Sequence, residues 1–134
     1  MTTLLNPYLH FLGEAREAME FYQSLFGGEL SVMTYGDMGM EGDQADKVMH
    51  SQLAAGPLTL MGSDSPSDAP MTRGDMNCLS LSGDDDAQLR GWFEALSTGG
   101  EVHVPLEKQM WGDVFGQCKD RFGLTWLVNI SEPA

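Results

Sequence analysis

The chain carries one structural plan twice. A strand-like stretch leads into a helix that closes as Phe21-Tyr22-Gln23-Ser24-Leu25-Phe26-Gly27-Gly28-Glu29-Leu30, and the second half closes its helix as Trp92-Phe93-Glu94-Ala95-Leu96-Ser97-Thr98-Gly99-Gly100-Glu101-Val102. Three more strands follow in each half. Val48-Met49 and Leu58-Thr59-Leu60 recur in the same order as Val114-Phe115 and Leu124-Thr125-Trp126. With 134 residues in all, each half is too small to bury a stable core by itself. The expectation is a single domain, residues 1–134, built of two repeats (about 4–62 and 76–131) with a linker at 63–75. A site between the halves is the first place to look for function.

Local patterns place the elements. Leu4 to Leu12 reads as a strand, and Ala15, Ala18, Met19, Tyr22, Leu25 and Phe26 recur at helical spacing before Gly27-Gly28 supplies a left-handed stop. Glu29 to Tyr35 alternates as a strand, Gly36 to Asp46 is a loop, and Lys47 to Ala55 with Leu58 to Met61 form a hairpin around Gly56-Pro57. Ser63 to Asp75, with Pro66 and Pro70, reads as linker. The second copy opens with a strand at Met76 to Leu81, and its helix buries Leu89, Trp92, Phe93 and Leu96 before Gly99-Gly100. Asp84-Asp85-Asp86 sits where free amides and the helix dipole favour negative charge. Glu101 to Leu106, Asp113 to Lys119 and Leu124 to Ile130 complete the strands.

Charge narrows the partners. Seven Lys plus Arg against twenty Asp plus Glu give a net charge of −13, which offers no basic stripe for phosphates and disfavours nucleic acid and acidic membrane surfaces. No apolar run approaches the roughly 20 residues that span a bilayer. The amino-terminal stretch Met1 to Pro7 lacks the pattern of a secretory signal, so the expected location is the cytoplasm. Cys78 and Cys118 fall in predicted strands and are expected to be buried and reduced.

The predicted fold class is α+β: two tandem βαβββ modules forming a curved mixed sheet, with the helices on its outer face. Strands outnumber helices, which excludes a doubly wound nucleotide-binding fold. In that order, Pro7-Tyr8-Leu9-His10-Phe11, Glu17-Ala18-Met19-Glu20-Phe21-Tyr22, Phe26-Gly27-Gly28, Trp111-Gly112-Asp113 and Asp120-Arg121-Phe122-Gly123 resemble the vicinal oxygen chelate superfamily of glyoxalases, bleomycin-resistance proteins and dioxygenases, and within it the PhnB-like branch. The resemblance runs from about Leu4 to Ile130 and implies the fold, a small-molecule ligand and a homodimer completed across a two-fold axis. The name 3-demethylubiquinone methyltransferase attached to that branch does not suit this chain. Methyl transfer on the usual fold needs a doubly wound sheet with a glycine-rich first turn. A phosphonate dianion would need inward Arg or Lys, yet Arg16, Arg73, Arg90 and Arg121 fall on helices or turns.

Metal-dependent members of the superfamily carry a His, Gln or Glu ligand on the first and last strand of each repeat. By resemblance those positions fall near Pro7, near Leu60 or Met61, at Asn77, and near Leu127, and this donor set suits neither zinc, nickel nor iron. The expectation is no metal and no other cofactor. His50 is then the candidate base: in Val48-Met49-His50-Ser51-Gln52-Leu53, alternation puts His50 and Gln52 on one face, where they can orient a carbonyl. PhnB-like relatives also tend to carry His there. Tyr8, His10, Gln52, Asn77, Trp111, Asp113 and Phe115 are the candidate ligand-binding residues, with the glycines around Trp111-Gly112-Asp113-Val114-Phe115-Gly116 permitting close backbone approach. Met33, Met49 and Met61 are assigned to core, Met38 and Met40 to loop cover. A His10–His50 metal pair requires their strands to be neighbours.

The leading expectation is a glyoxalase-like protein of unknown specific activity that binds a small, largely apolar or aromatic molecule without the usual metal. The alternatives are a metal-dependent lyase, isomerase or dioxygenase, and a module whose dimer surface is its function.

Overall fold

A computed structural model describes residues 2–132. Among them are eight strands and two α-helices: β1 (Tyr8–Phe11), α1 (Ala15–Phe26), β2 (Glu29–Thr34), β3 (Val48–Ala55), β4 (Leu58–Asp64), β5 (Leu79–Gly83), α2 (Asp86–Ser97), β6 (Glu101–Lys108), β7 (Val114–Lys119) and β8 (Thr125–Ile130). They form two compact units, Met1–Met71 and Thr72–Ala134, each with its own four-stranded mixed sheet rather than a share of one.

In the first unit the strand order is β1-β4-β3-β2, with β1 parallel to β4 and the other pairs antiparallel. Helix α1 packs on β2, β3 and β4. Leu9, Phe11, Leu53 and Leu60 face it and are buried with Ala15, Ala18, Met19 and Tyr22, the positions that recur at helical spacing. Glu14 at the helix start makes no capping bond with its side chain. The buried carboxylate of Asp64 supplies the acceptor instead: Oδ1 takes the amides of Gly13 and Ala15, at 2.8 and 3.0 Å, and Oδ2 takes that of Val48 at 3.0 Å.

The second unit repeats the plan as β5-β8-β7-β6. Leu81, Leu89, Phe93, Leu96, Cys118, Trp126 and Val128 form its core, while Trp92, expected among them, is only half-buried at the edge of the helix face. Here the helix caps itself, with Asp85 accepting from the Gln88 amide. Asp120 closes the turn into β8, accepting the amides of Phe122 and Leu124 and the indole N–H of Trp126.

Strand ladders give the correspondence between the repeats. Gly62 pairs with Leu9 and Ser51 in the first unit, as Val128 pairs with Leu81 and Gly116 in the second. Leu60 therefore matches Trp126, as the repeated triplets indicate. Val48-Met49, however, matches Asp113-Val114, one residue from its sequence counterpart. The turn Gly56-Pro57 has two residues where Arg121-Phe122-Gly123 has three, and that extra residue shifts the register. Since alternate residues face opposite ways, the shift decides that His50 corresponds to Phe115, and Gln52 to Gln117.

Several expected boundaries move. β1 is only four residues, and Leu5 before it is almost fully exposed. β4 runs through Ser63 and Asp64, so the linker starts later than composition suggests, because the Asp64 carboxylate has backbone partners that its polarity concealed. β5 begins at Leu79, which leaves Met76 in a bend, Asn77 in irregular chain after it and Cys78 exposed; only Cys118 is buried. Met33 is part exposed on the face away from α1, and Met61 shares that face, so neither belongs to the core under the helix. Met38 and Met40 are exposed in the loop.

Candidate functional site

The face of the first sheet that turns away from α1 gathers four of the predicted site residues. Register sets Tyr8, Met61, Gln52 and Ser31 in one row; beyond it His10 pairs with Ser63, and His50 with Met33. Tyr8 Oη lies 3.0 Å from His50 Nδ1. The phenol ring stacks on His50 with centroids 5.7 Å apart and meets the ring of His10 at 5.3 Å. His10 and His50 are not on neighbouring strands, since β4 runs between β1 and β3. Tyr35 supports the edge of this group. Its hydroxyl donates to the Asp64 carbonyl at 2.8 Å, and burial, followed by the charge of Asp64 and then Tyr8, pushes its phenol above the ordinary value.

The corresponding face of the second sheet is built differently. Phe115 stands where the first unit has His50, and Ser80 and Ser82 stand where it has Tyr8 and His10. Trp111, 63% exposed, meets Phe115 edge-on at 6.1 Å. Asn129, which the sequence reading did not single out, donates from Nδ2 to Asp113 Oδ2 at 3.0 Å. Asn129 pairs with Phe115 across the ladder, which sets this amide–carboxylate pair on the strand position next to the aromatic ring. The signal was available: Asn129 sits between apolar residues in the last strand, and a polar residue there needs a partner. Gln117 was missed because the repeat, aligned without the extra turn residue, pairs Gln52 with Cys118. Asn77, before β5, joins neither group.

The donor set expected for a family metal is not present on these faces. Leu60 is buried toward α1, Met61 and Leu127 offer no hard ligand, Pro7 has none, and Asn77 is outside the strands. Among the described residues no three of His, Cys, Asp and Glu group to hold an ion. No helix of those residues is long and apolar enough to cross a membrane.

Comparison with known proteins fits this geometry. Residues 4–128 match the model of the Glyoxalase/Bleomycin resistance protein/Dioxygenase superfamily. Protein YjdN of Escherichia coli is 26% identical, with 94% of each chain covered. The crystal structure of protein PA1353 from Pseudomonas aeruginosa superposes with a TM-score of 0.89 at 36% identity, covering 98% of this chain and 100% of that one. The PhnB protein from Bacillus cereus does so at 0.81 and 25%, covering 96% and 100%. With the tandem βαβββ units and a family match along nearly the whole length, the chain belongs to the Glyoxalase/Bleomycin resistance protein/Dioxygenase superfamily.

Proposed function

We propose that the protein is a cytoplasmic, homodimeric small-molecule-binding member of the superfamily, a single domain over residues 1–134, that works without the family's metal. The observation that carries this reading is the Tyr8–His50 hydrogen bond, set with His10 and Gln52 on the sheet face that α1 leaves uncovered. The aromatic rings of Tyr8, His10 and His50 on that face suit a planar apolar ligand, while His50 and Gln52 supply polar points that orient it; Trp111 and Phe115 form a separate aromatic surface within the second unit. The test begins with elemental analysis of native protein, then thermal melting against aromatic compounds with and without a chelator. Ligands that raise the melting temperature equally in chelator, and bind about tenfold more weakly to His50→Ala, are expected from the loss of one polar contact. About one equivalent of tightly held transition metal, or ligands indifferent to His50→Ala, would overturn the reading.

A phenol bonded to an imidazole is also an acid–base unit, and this favours a second reading as a lyase, isomerase or dioxygenase relative. In that case His50→Ala abolishes turnover of any substrate found, and full retained turnover removes it.

A further inference from the structure

We infer that Tyr8 is a positioning residue that holds His50 as the Nε2–H tautomer, so that His50 meets its ligand as a hydrogen-bond donor and the site takes molecules carrying a carbonyl-type oxygen acceptor. The ligand class rests on the binding reading above; the role of Tyr8 does not.

The argument starts from the pair. A phenol is a good donor and weak acceptor, and an imidazole nitrogen is a good acceptor, so the 3.0 Å contact between Tyr8 Oη and His50 Nδ1 is best matched as O–H donating to nitrogen. A neutral imidazole bears one proton. With Nδ1 accepting, the proton is on Nε2. Among the described residues only Tyr8 hydrogen-bonds this ring, so Nε2–H has no protein acceptor. The basic lone pair is thus engaged by the phenol, while the free corner of the ring is a donor. Ring stacking between Tyr8 and His50 holds the imidazole plane, and Tyr8 is held in turn against His10. Gln52, two residues along β3 on the same face, adds an amide that can donate to the same oxygen or accept from a neighbouring group. The second unit has Phe115 in place of His50 and Ser80 in place of Tyr8, so this donor belongs to the first repeat alone.

Nitrogen-15 NMR of the histidine rings at a pH where they are neutral tests the assignment, with acetophenone and ethylbenzene as probes of similar size that differ in one carbonyl oxygen. The expected result is an unprotonated, hydrogen-bonded Nδ1 and a protonated Nε2 for His50. Tyr8→Phe should move both shifts toward a tautomer mixture, and Tyr8→Trp, which keeps an aromatic ring but has no O–H in that place, should do the same. Acetophenone should perturb the His50 Nε2–H and bind about fivefold more tightly than ethylbenzene, the ratio of one neutral hydrogen bond. A proton on Nδ1 in the native protein, or shifts unchanged in Tyr8→Phe, overturns the inference whatever binds. Equal binding of the two probes overturns the ligand class. A His50 ring with the expected tautomer that neither probe touches supports the role of Tyr8 and counts against the binding reading itself.

Discussion

The carboxylate of Asp64 lies 3.0 Å from the amide of Ala15, so the first turn of α1 is capped by a residue 49 positions further along the chain. The same side chain takes the amides of Gly13 and Val48, and thereby ties β4, the start of α1 and the start of β3 together. In the second unit Ile130 holds the matching place and Asp85 caps α2 locally.

Asp64→Ala should therefore cost about 4 kcal/mol, since it removes the acceptor from three amides, two of them in buried bonds, whereas Asp85→Ala should cost about 1 kcal/mol as an ordinary exposed cap. Asp64→Asn keeps one carbonyl oxygen and should fall between Asp64→Ala and the native chain. Urea unfolding of the three variants checks the order, and equal losses for Asp64→Ala and Asp85→Ala would refute the long-range cap.

Gly28 and Gly100 are matching positions at which the chain leaves its helix against the neighbouring hairpin. A Cβ on Gly28 would drive into the carbonyl oxygen of Ala54, and one on Gly100 into that of Lys119, the matching residue of the second ladder. Gly100→Ala should cost about 3 kcal/mol by overpacking against fixed backbone. Gly91→Ala, in open space on α2, should be neutral or stabilising by about 1 kcal/mol through helix propensity. Melting temperatures that fall together in both variants would contradict this.

Burial pushes the Cys118 thiol above its ordinary value, with the Ser97 hydrogen bond opposing and the Asp120 charge adding to the rise. Cys78 is exposed. In native protein one thiol per chain should react promptly with a disulfide reagent, and the second only on unfolding. Prompt reaction of both would place Cys118 outside the core.

The same shift sets a pH dependence. A folded-state value above the unfolded one means that the folded chain keeps its proton to higher pH, so this contribution is complete below the unfolded thiol value and is lost as pH rises through the folded one. Tyr35, raised chiefly by burial, acts with the same sign at still higher pH. Stability from urea unfolding should fall on the alkaline side, beginning near the ordinary thiol range, and Cys118→Ala should flatten the first part of that decline.

Trp126 and Trp111 should separate by function. Trp126 is buried with its indole N–H bonded to Asp120, so Trp126→Phe should cost about 2 kcal/mol by removing a buried charge-assisted hydrogen bond. Trp111→Ala, at an exposed turn, should change stability by under about 0.5 kcal/mol and act on ligand binding instead. Calorimetry and titration of the two variants check both statements.

The amino-acid sequence by itself determined the repeated plan, both helices with their buried faces, the glycine stops and the family. Each depends on neighbours within a few residues: helical spacing of Ala15 to Tyr22 and Leu89 to Leu96, or glycines where a side chain would not fit. It also indicated that His50 and Gln52 share a face, since alternation is local too. Tertiary structure decided which residues meet them. The Tyr8–His50 bond joins residues 42 apart across an intervening strand, and the Asp113–Asn129 pair joins the residue just before β7 to β8 through a register that one extra turn residue displaces. A strand presents its residues alternately to opposite faces, so that single residue, invisible to local pattern, sets Phe115 rather than Gly116 opposite the role of His50. Asp64 shows the same division: its polarity suggests linker, and only the fold brings three amides within reach of its carboxylate.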